Sequence, residues 1–195
     1  MTMMMYLRSF AVCGFLLTTS ASGQNLLTNG QFDADLSGWT FPDATPIWSA
    51  FDVNGAANSG SAFGTNAQAA AGARVLVLRQ CVLVTQPGFY ALAASAFTPT
   101  GQVDGGLIFS YYARRNSPAC SGGTFNAFGN YMPSVGQWQR YTSGTFLQIP
   151  APLAPDTTVE VLLGIDKTPA GGSFSGYFDD VTLVFDPPIF ANGFE

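Results

Sequence analysis

The chain has 195 residues, of which 10% are charged, 14% are aromatic, 22 are glycine and 12 are proline. That length supports one domain with a full core, and that composition suits short strands joined by turns rather than solvated helices. A formal net charge of -5 makes nucleic acid and anionic membrane surfaces poor partners, and the absence of histidine removes Ser/His and Cys/His couples, most zinc sites and imidazole acid-base chemistry.

Residues 1–23 have the parts of a secretory signal: Arg8, the apolar run Phe10-Ala11-Val12-Cys13-Gly14-Phe15-Leu16-Leu17, then small residues up to Gly23. The run is about half the roughly 20 apolar residues a membrane-spanning helix needs, so export is expected in place of anchoring, with no membrane insertion of the mature chain. Lipidation at Cys13 is disfavoured, because Val12 and Phe10 stand where a small residue and a leucine are wanted. Once Cys13 leaves with the leader, Cys81 and Cys120 remain. An oxidising compartment couples such a pair, and a disulfide closing a loop of about 40 residues contributes roughly 3 to 4 kcal/mol. One β domain is expected over residues 24–186, followed by a tail, 187–195.

Within the domain, alternation predicts strands at 25–32 and 47–53, with the turn signal Asn54-Gly55 after the second. Residues 55–72 are rich in Ala, Gly, Ser and Asn and read as a long surface loop. The apolar runs 74–84 and 89–97, joined by Gln86-Pro87-Gly88, read as an antiparallel hairpin. In 107–114, Leu107, Phe109 and Tyr111 share one face, the core face, while Ser110, Tyr112 and Arg114 share the other. Residues 115–129 read as a second loop tethered by Cys120. Strands follow at 138–149, 158–165 and 174–185, and Asp186-Pro187-Pro188 stops the last one. Eight or nine strands with almost no helix predict an all-β, two-sheet antiparallel sandwich.

The opening Asn25-Leu26-Leu27-Thr28-Asn29-Gly30-Gln31-Phe32-Asp33, with Leu36-Ser37-Gly38-Trp39 after it, resembles the start of jelly-roll carbohydrate-binding modules and related galactose-binding-like domains. Tyr177-Phe178-Asp179-Asp180-Val181-Thr182-Leu183 resembles their closing strand, and Gly136-Gln137-Trp138-Gln139-Arg140-Tyr141 their Trp-bearing strand. The resemblance implies a jelly roll, and a structural calcium ion where first and last strands meet, with Asp33 and Asp179 as ligands. The tail Ile189-Phe190-Ala191-Asn192-Gly193-Phe194-Glu195 resembles a terminal motif of secreted proteins of some Gram-negative bacteria. It reads either as a sorting or processing tag or as a peptide that docks on the domain.

Sugar recognition needs flat aromatic surfaces and a few hydrogen-bonding groups aimed at hydroxyls. The candidates are Trp48, Tyr112, Arg114, Tyr131 and Arg140, whereas Trp39 and Trp138 read as core residues. The close acid pairs, Asp33 with Asp35 and Asp179 with Asp180, lack the arrangement across a cleft that glycoside hydrolysis requires, so no enzyme is expected. The expectation is a secreted, monomeric, non-catalytic module that binds carbohydrate. Its competitors are an adhesive protein that contacts other proteins and a jelly-roll lyase or hydrolase using Arg114 or Arg140 beside a tyrosine and an acid.

Overall fold

The computed structural model describes residues 23–122, 124–133, 135–143 and 147–186, with the backbone alone for residues 115, 124–128 and 186. The predicted leader up to residue 22 and the predicted tail, 187–195, lie outside the described residues.

Strands with apolar side chains at alternate positions have one dry face, and two sheets gain most by closing those faces on each other. The strands are β1 (Ile47–Ser49), β2 (Ser61–Asn66), β3 (Ala73–Leu83), β4 (Gly88–Phe97), β5 (Gly105–Arg115), β6 (Thr124–Met132), β7 (Gln139–Thr142), β8 (Leu147–Ile149), β9 (Thr158–Lys167) and β10 (Phe174–Asp186). One sheet has the order β1-β2-β10-β4-β7, with β8 also paired to β4, and the other the order β3-β9-β5-β6. Every pairing is antiparallel. This is the expected sandwich, and the described residues contain no helix.

Between the sheets, Tyr90, Leu92, Phe178 and Leu183 of the first meet Val77, Leu107, Phe109, Tyr111, Leu163 and Ile165 of the second, all sealed from solvent. Each such side chain contributes roughly 1.5 to 3 kcal/mol. The alternation expected in β5 holds, with Leu107, Phe109 and Tyr111 inward. The disulfide joins Cys81 and Cys120, whose Cα atoms are 5.9 Å apart. Lys167, a charge inside the core, is sealed there because Nζ donates to the carbonyls of Pro169 (3.2 Å) and Gly171 (2.8 Å).

Five expectations are corrected. Of residues 25–32 only Asn25 bridges to β10, opposite Val184, and the chain then turns, because Asn29 (φ 50) and Phe32 (φ 48) are left-handed and carry Phe32 into the core. Along this segment the Asn25 side chain serves a bulge in β10, accepting from Leu183 N at 2.9 Å and donating to the Val181 carbonyl at 3.0 Å. The segment 55–72 contains β2, an internal strand whose Gly64 is required by close approach: a Cβ there would sit 2.7 Å from Val77 Cγ1. Strands β3 and β4 do not form a hairpin; the chain arches across the core, so β3 pairs with β9 while β4 pairs with β10, β7 and β8. Both runs are apolar because each needs a buried face, which two facing strands satisfy as well as two paired ones. Finally, 115–129 contains most of β6, and 138–149 divides into β7 and β8.

Candidate functional site

Alternation in the six-stranded sheet points Phe63 of β2, Tyr177 of β10 and Phe97 of β4 away from the core. Register then sets them in a line: Phe63 and Phe97 both lie directly opposite Tyr177 on the two neighbouring strands. Trp138 immediately precedes β7, and extending the pairing of Ala96 with Gln139 brings it opposite Phe97. The ring centroids are 4.6 Å apart for Phe63 and Tyr177, 5.9 Å for Tyr177 and Phe97, and 5.7 Å for Phe97 and Trp138. Three inter-strand spacings make this row about 14 Å long.

Phe51, from the turn after β1, lies over the row, 4.9 Å from Phe97, 5.0 Å from Tyr177 and stacked 5.2 Å from Trp138. Its ring is 40% exposed, and the four beneath it are half-buried. Three hydrogen bonds hold it there: Phe51 N donates to Ser49 Oγ at 3.2 Å, Ser61 Oγ donates to the Phe51 carbonyl at 2.6 Å, and Val53 N donates to Asp179 Oδ2 at 2.9 Å. Below Phe51, Trp138 Nε1 is a buried donor without a hydrogen-bond partner, alone in this among the described side chains. Such orphans call for an explanation.

Beside the row is a pocket of about 210 Å3 lined by Gln31, Asp33, Asp52, Asn54, Ala56, Ser59, Asp179 and Asp180. Asp179 is 1% exposed and Asp52 is 8% exposed. Burial, reinforced by the charges of Asp52 and Asp180, pushes the Asp179 carboxyl up to about 7 against the amides of Val53 and Asp180. Burial also opposes ionisation of Asp52, but hydrogen bonds led by the Ala56 amide outweigh it and hold that carboxyl below its usual range. Among the described residues no arginine or lysine pairs with either acid; Arg140 binds Asp180 instead. Asp179, buried beside the Asp52 charge without a basic partner, calls for a proton or a cation, and the carboxylate and amide oxygens of the lining suit a hard cation in charge. No group of three or more acidic or thiol side chains converges as a metal cluster among the described residues, so a cation there would also take backbone carbonyls.

Asp33 and Asp179 thus meet at one pocket, with Asp33 exposed at its rim. The five residues singled out for carbohydrate do not come together. Arg140, two residues after Trp138 and directly opposite Ser95 of β4, borders the aromatic row; its guanidinium holds the Asp180 carboxylate and donates to Thr182 Oγ1 at 3.0 Å. Trp48 lies at the β1 edge, 37% exposed, with Nε1 donating to the Phe32 carbonyl at 2.7 Å. Tyr112, Arg114 and Tyr131 belong to the opposite sheet. There Glu160 bridges Arg79 (2.6 Å) and Arg114 (2.7 Å), and the Arg114 guanidinium lies 5.5 Å from the Tyr112 ring centre. The Tyr131 hydroxyl donates to Asp166, which Arg74 holds in a two-pronged ion pair. Sequence reasoning missed Phe51, Phe63, Phe97 and Tyr177 as site residues; the available signal was the alternation of 174–178, which sets Tyr177 on the face opposite Phe178.

No known protein family matches the sequence, and no characterised protein matches it either. Solved structures share the fold. The chain is similar to the enzymatically active domain of tailspike protein 4 of bacteriophage CBA120 (16% identity, TM-score 0.57), where 83% of the chain spans 21% of that protein. It is also similar to a CBM61 module solved in complex with beta-1,4-galactotriose (13% identity, TM-score 0.51, 84% of this chain and 99% of that one). A third is the CBM22-2 xylan-binding domain of Paenibacillus barcinonensis Xyn10C (16% identity, TM-score 0.50, 80% and 98%). The chain therefore spans about a fifth of the phage protein but nearly the whole of each binding module, and it has the β-sandwich fold on which carbohydrate-binding modules are built.

Proposed function

We propose that the chain is an exported, non-catalytic module that binds a glycan along the outer face of its six-stranded sheet. The observation that carries this reading is the aromatic row Phe63-Tyr177-Phe97-Trp138 with Phe51 over it. Sugar rings present flat C–H surfaces, and aromatic faces with polar groups at their border are the surface that receives them. Arg140, Asp180 and Thr182 supply such a border. A row about 14 Å long suits an oligosaccharide better than a single sugar. Likeness in fold to the CBM61 and CBM22-2 modules is consistent with this role without assigning a sugar.

Calcium belongs to the same reading. Asp179 and Asp52 would hold it with Asp33 at the rim, and it would neutralise the buried charge beneath the Phe51 turn. The test is a polysaccharide screen by affinity electrophoresis with calcium and with chelator, followed by calorimetry on any binder. Phe51→Ala and Tyr177→Ala are expected to weaken binding by about tenfold or more, the loss of one stacked ring each. Tyr112→Ala and Tyr131→Ala, on the opposite sheet, should leave it unchanged. Binding lost in the second pair and kept in the first would move the site to the β5-β6 face; no binding to any glycan would end the reading.

A further inference from the structure

A second concave surface lies where the described chain enters and leaves the sandwich. It encloses about 330 Å3 between Leu26, Leu83, Val84, Tyr90 and Phe185, with Gly23, Gln24, Thr85 and Gln86 completing it, so no lining residue is charged. Leu83 is 58% exposed there. The walls are fixed. Phe185 packs 5.3 Å from the Tyr90 ring and covers Gly88, where an added Cβ would come within 2.5 Å of Phe185 Cε2, and the Tyr90 hydroxyl is tied to the Gln86 carbonyl at 2.6 Å. A preformed, uncharged hollow of this kind suits an apolar occupant. It shares no residue with the aromatic row or the acidic pocket, so it is independent of the glycan reading.

We propose that this groove is the docking site of the chain's own residues 187–195, with Ile189 and Phe190 against Leu26, Leu83 and Phe185. Three observations choose this occupant. Strand β10 ends at Asp186, next to the wall residue Phe185, so the segment starts at the groove with no linker to cross. Pro187 and Pro188 have no N–H to donate, so they cannot prolong the ladder of β10 past the groove. The segment carries Ile189, Phe190 and Phe194 and no charge before Glu195, matching an uncharged lining. The competing occupants are residues 1–22, which join the groove at Gly23, and a second copy of the chain.

The test places the photoreactive p-benzoylphenylalanine at position 190 of the full chain and maps the cross-links by mass spectrometry. The expected products have the mass of one chain, join position 190 to Leu26, Leu83 or Val84, keep their yield on dilution, and are lost in Leu83→Asp. In an otherwise native chain, Ile189→Asp with Phe190→Asp should raise the emission of a hydrophobic dye about twofold by uncovering the groove. Cross-links of two-chain mass, cross-links scattered over the surface, or dye emission unchanged by the paired substitutions would each overturn the assignment. A second probe at position 83 that cross-links to residues 1–22 in place of 187–195 would overturn it as well.

Discussion

Asp179→Asn tests the most unusual charge in the molecule. The Asp179 carboxyl is pushed from its ordinary 3.8 up to about 7, first by burial and then by the neighbouring Asp52 and Asp180. Because the folded state binds this proton more tightly than the unfolded chain does, the stability it confers is complete below about pH 4 and is lost as pH rises through 7. At about 1.4 kcal/mol per pH unit, the loss is about 4 kcal/mol. Asp35, Asp52 and Asp166 have lowered values and act the other way, but their contributions are present above their unfolded pKa values and vanish only as the solution falls below about pH 4. The interval from 4 to 7 therefore belongs to Asp179. Urea melts in chelator across that interval should show the parent losing stability with rising pH and Asp179→Asn staying level. Asparagine retains an oxygen for the Val53 amide, so at pH 8 the variant should be the more stable by up to about 4 kcal/mol, roughly 10 °C in Tm. Calcium should reverse the order by stabilising only the parent. A parent profile that is flat or rising from pH 4 to 7, or an equal slope in the variant, would refute the reasoning.

Three further perturbations address the frame around the site. Replacing Cys81 and Cys120 by serine opens a link across a sequence separation of 39 and should cost about 4 kcal/mol, read as a lowered Tm that matches reduction of the parent. Glu160→Ala should cost about 2 to 3 kcal/mol in chemical denaturation, because it removes the one acid shared by Arg79 and Arg114 while leaving guanidinium groups that water can partly reach. Gly64→Ala should cost about 1 to 3 kcal/mol by forcing a methyl group against Val77, whereas a true surface loop at 55–72 would accept it without change.

Much of the fold was legible because alternation is a local signal. Leu107, Phe109 and Tyr111 declare their face by spacing alone, and the proline pair after Asp186 marks the end of the last strand. Strand partners are not local. The apolar runs of β3 and β4 are separated by a turn compatible with either a hairpin or an arch over the core, and only the positions of β9 and β10 decide between them. β2 was hidden for a different reason. Its glycine lowers the strand signal because it stands where a side chain would collide with Val77 or Ile165, so the tightness that makes it an internal strand also makes it read as a loop.

The candidate site was less legible, since it is a property of register. Phe63, Phe97 and Tyr177 are 34 and 80 positions apart along the chain and become neighbours only because β2 and β4 pair on either side of β10. Taken singly, each is an ordinary strand aromatic with no mark of exposure. The tryptophans misled in the opposite sense: Trp48 is exposed but engaged by the Phe32 carbonyl, whereas Trp138, read as core, carries the donor left unsatisfied. The acidic pocket was found in part because Asp33 and Asp179 belong to terminal motifs that resemble those of a known fold. Asp52 belongs to neither motif, yet its charge adds to the burial that raises Asp179, and it follows Phe51 directly in the chain. That adjacency ties the two features mechanically. Any change in the charge of the pocket bears on the Val53 hydrogen bond, and through that turn on the ring that covers Trp138.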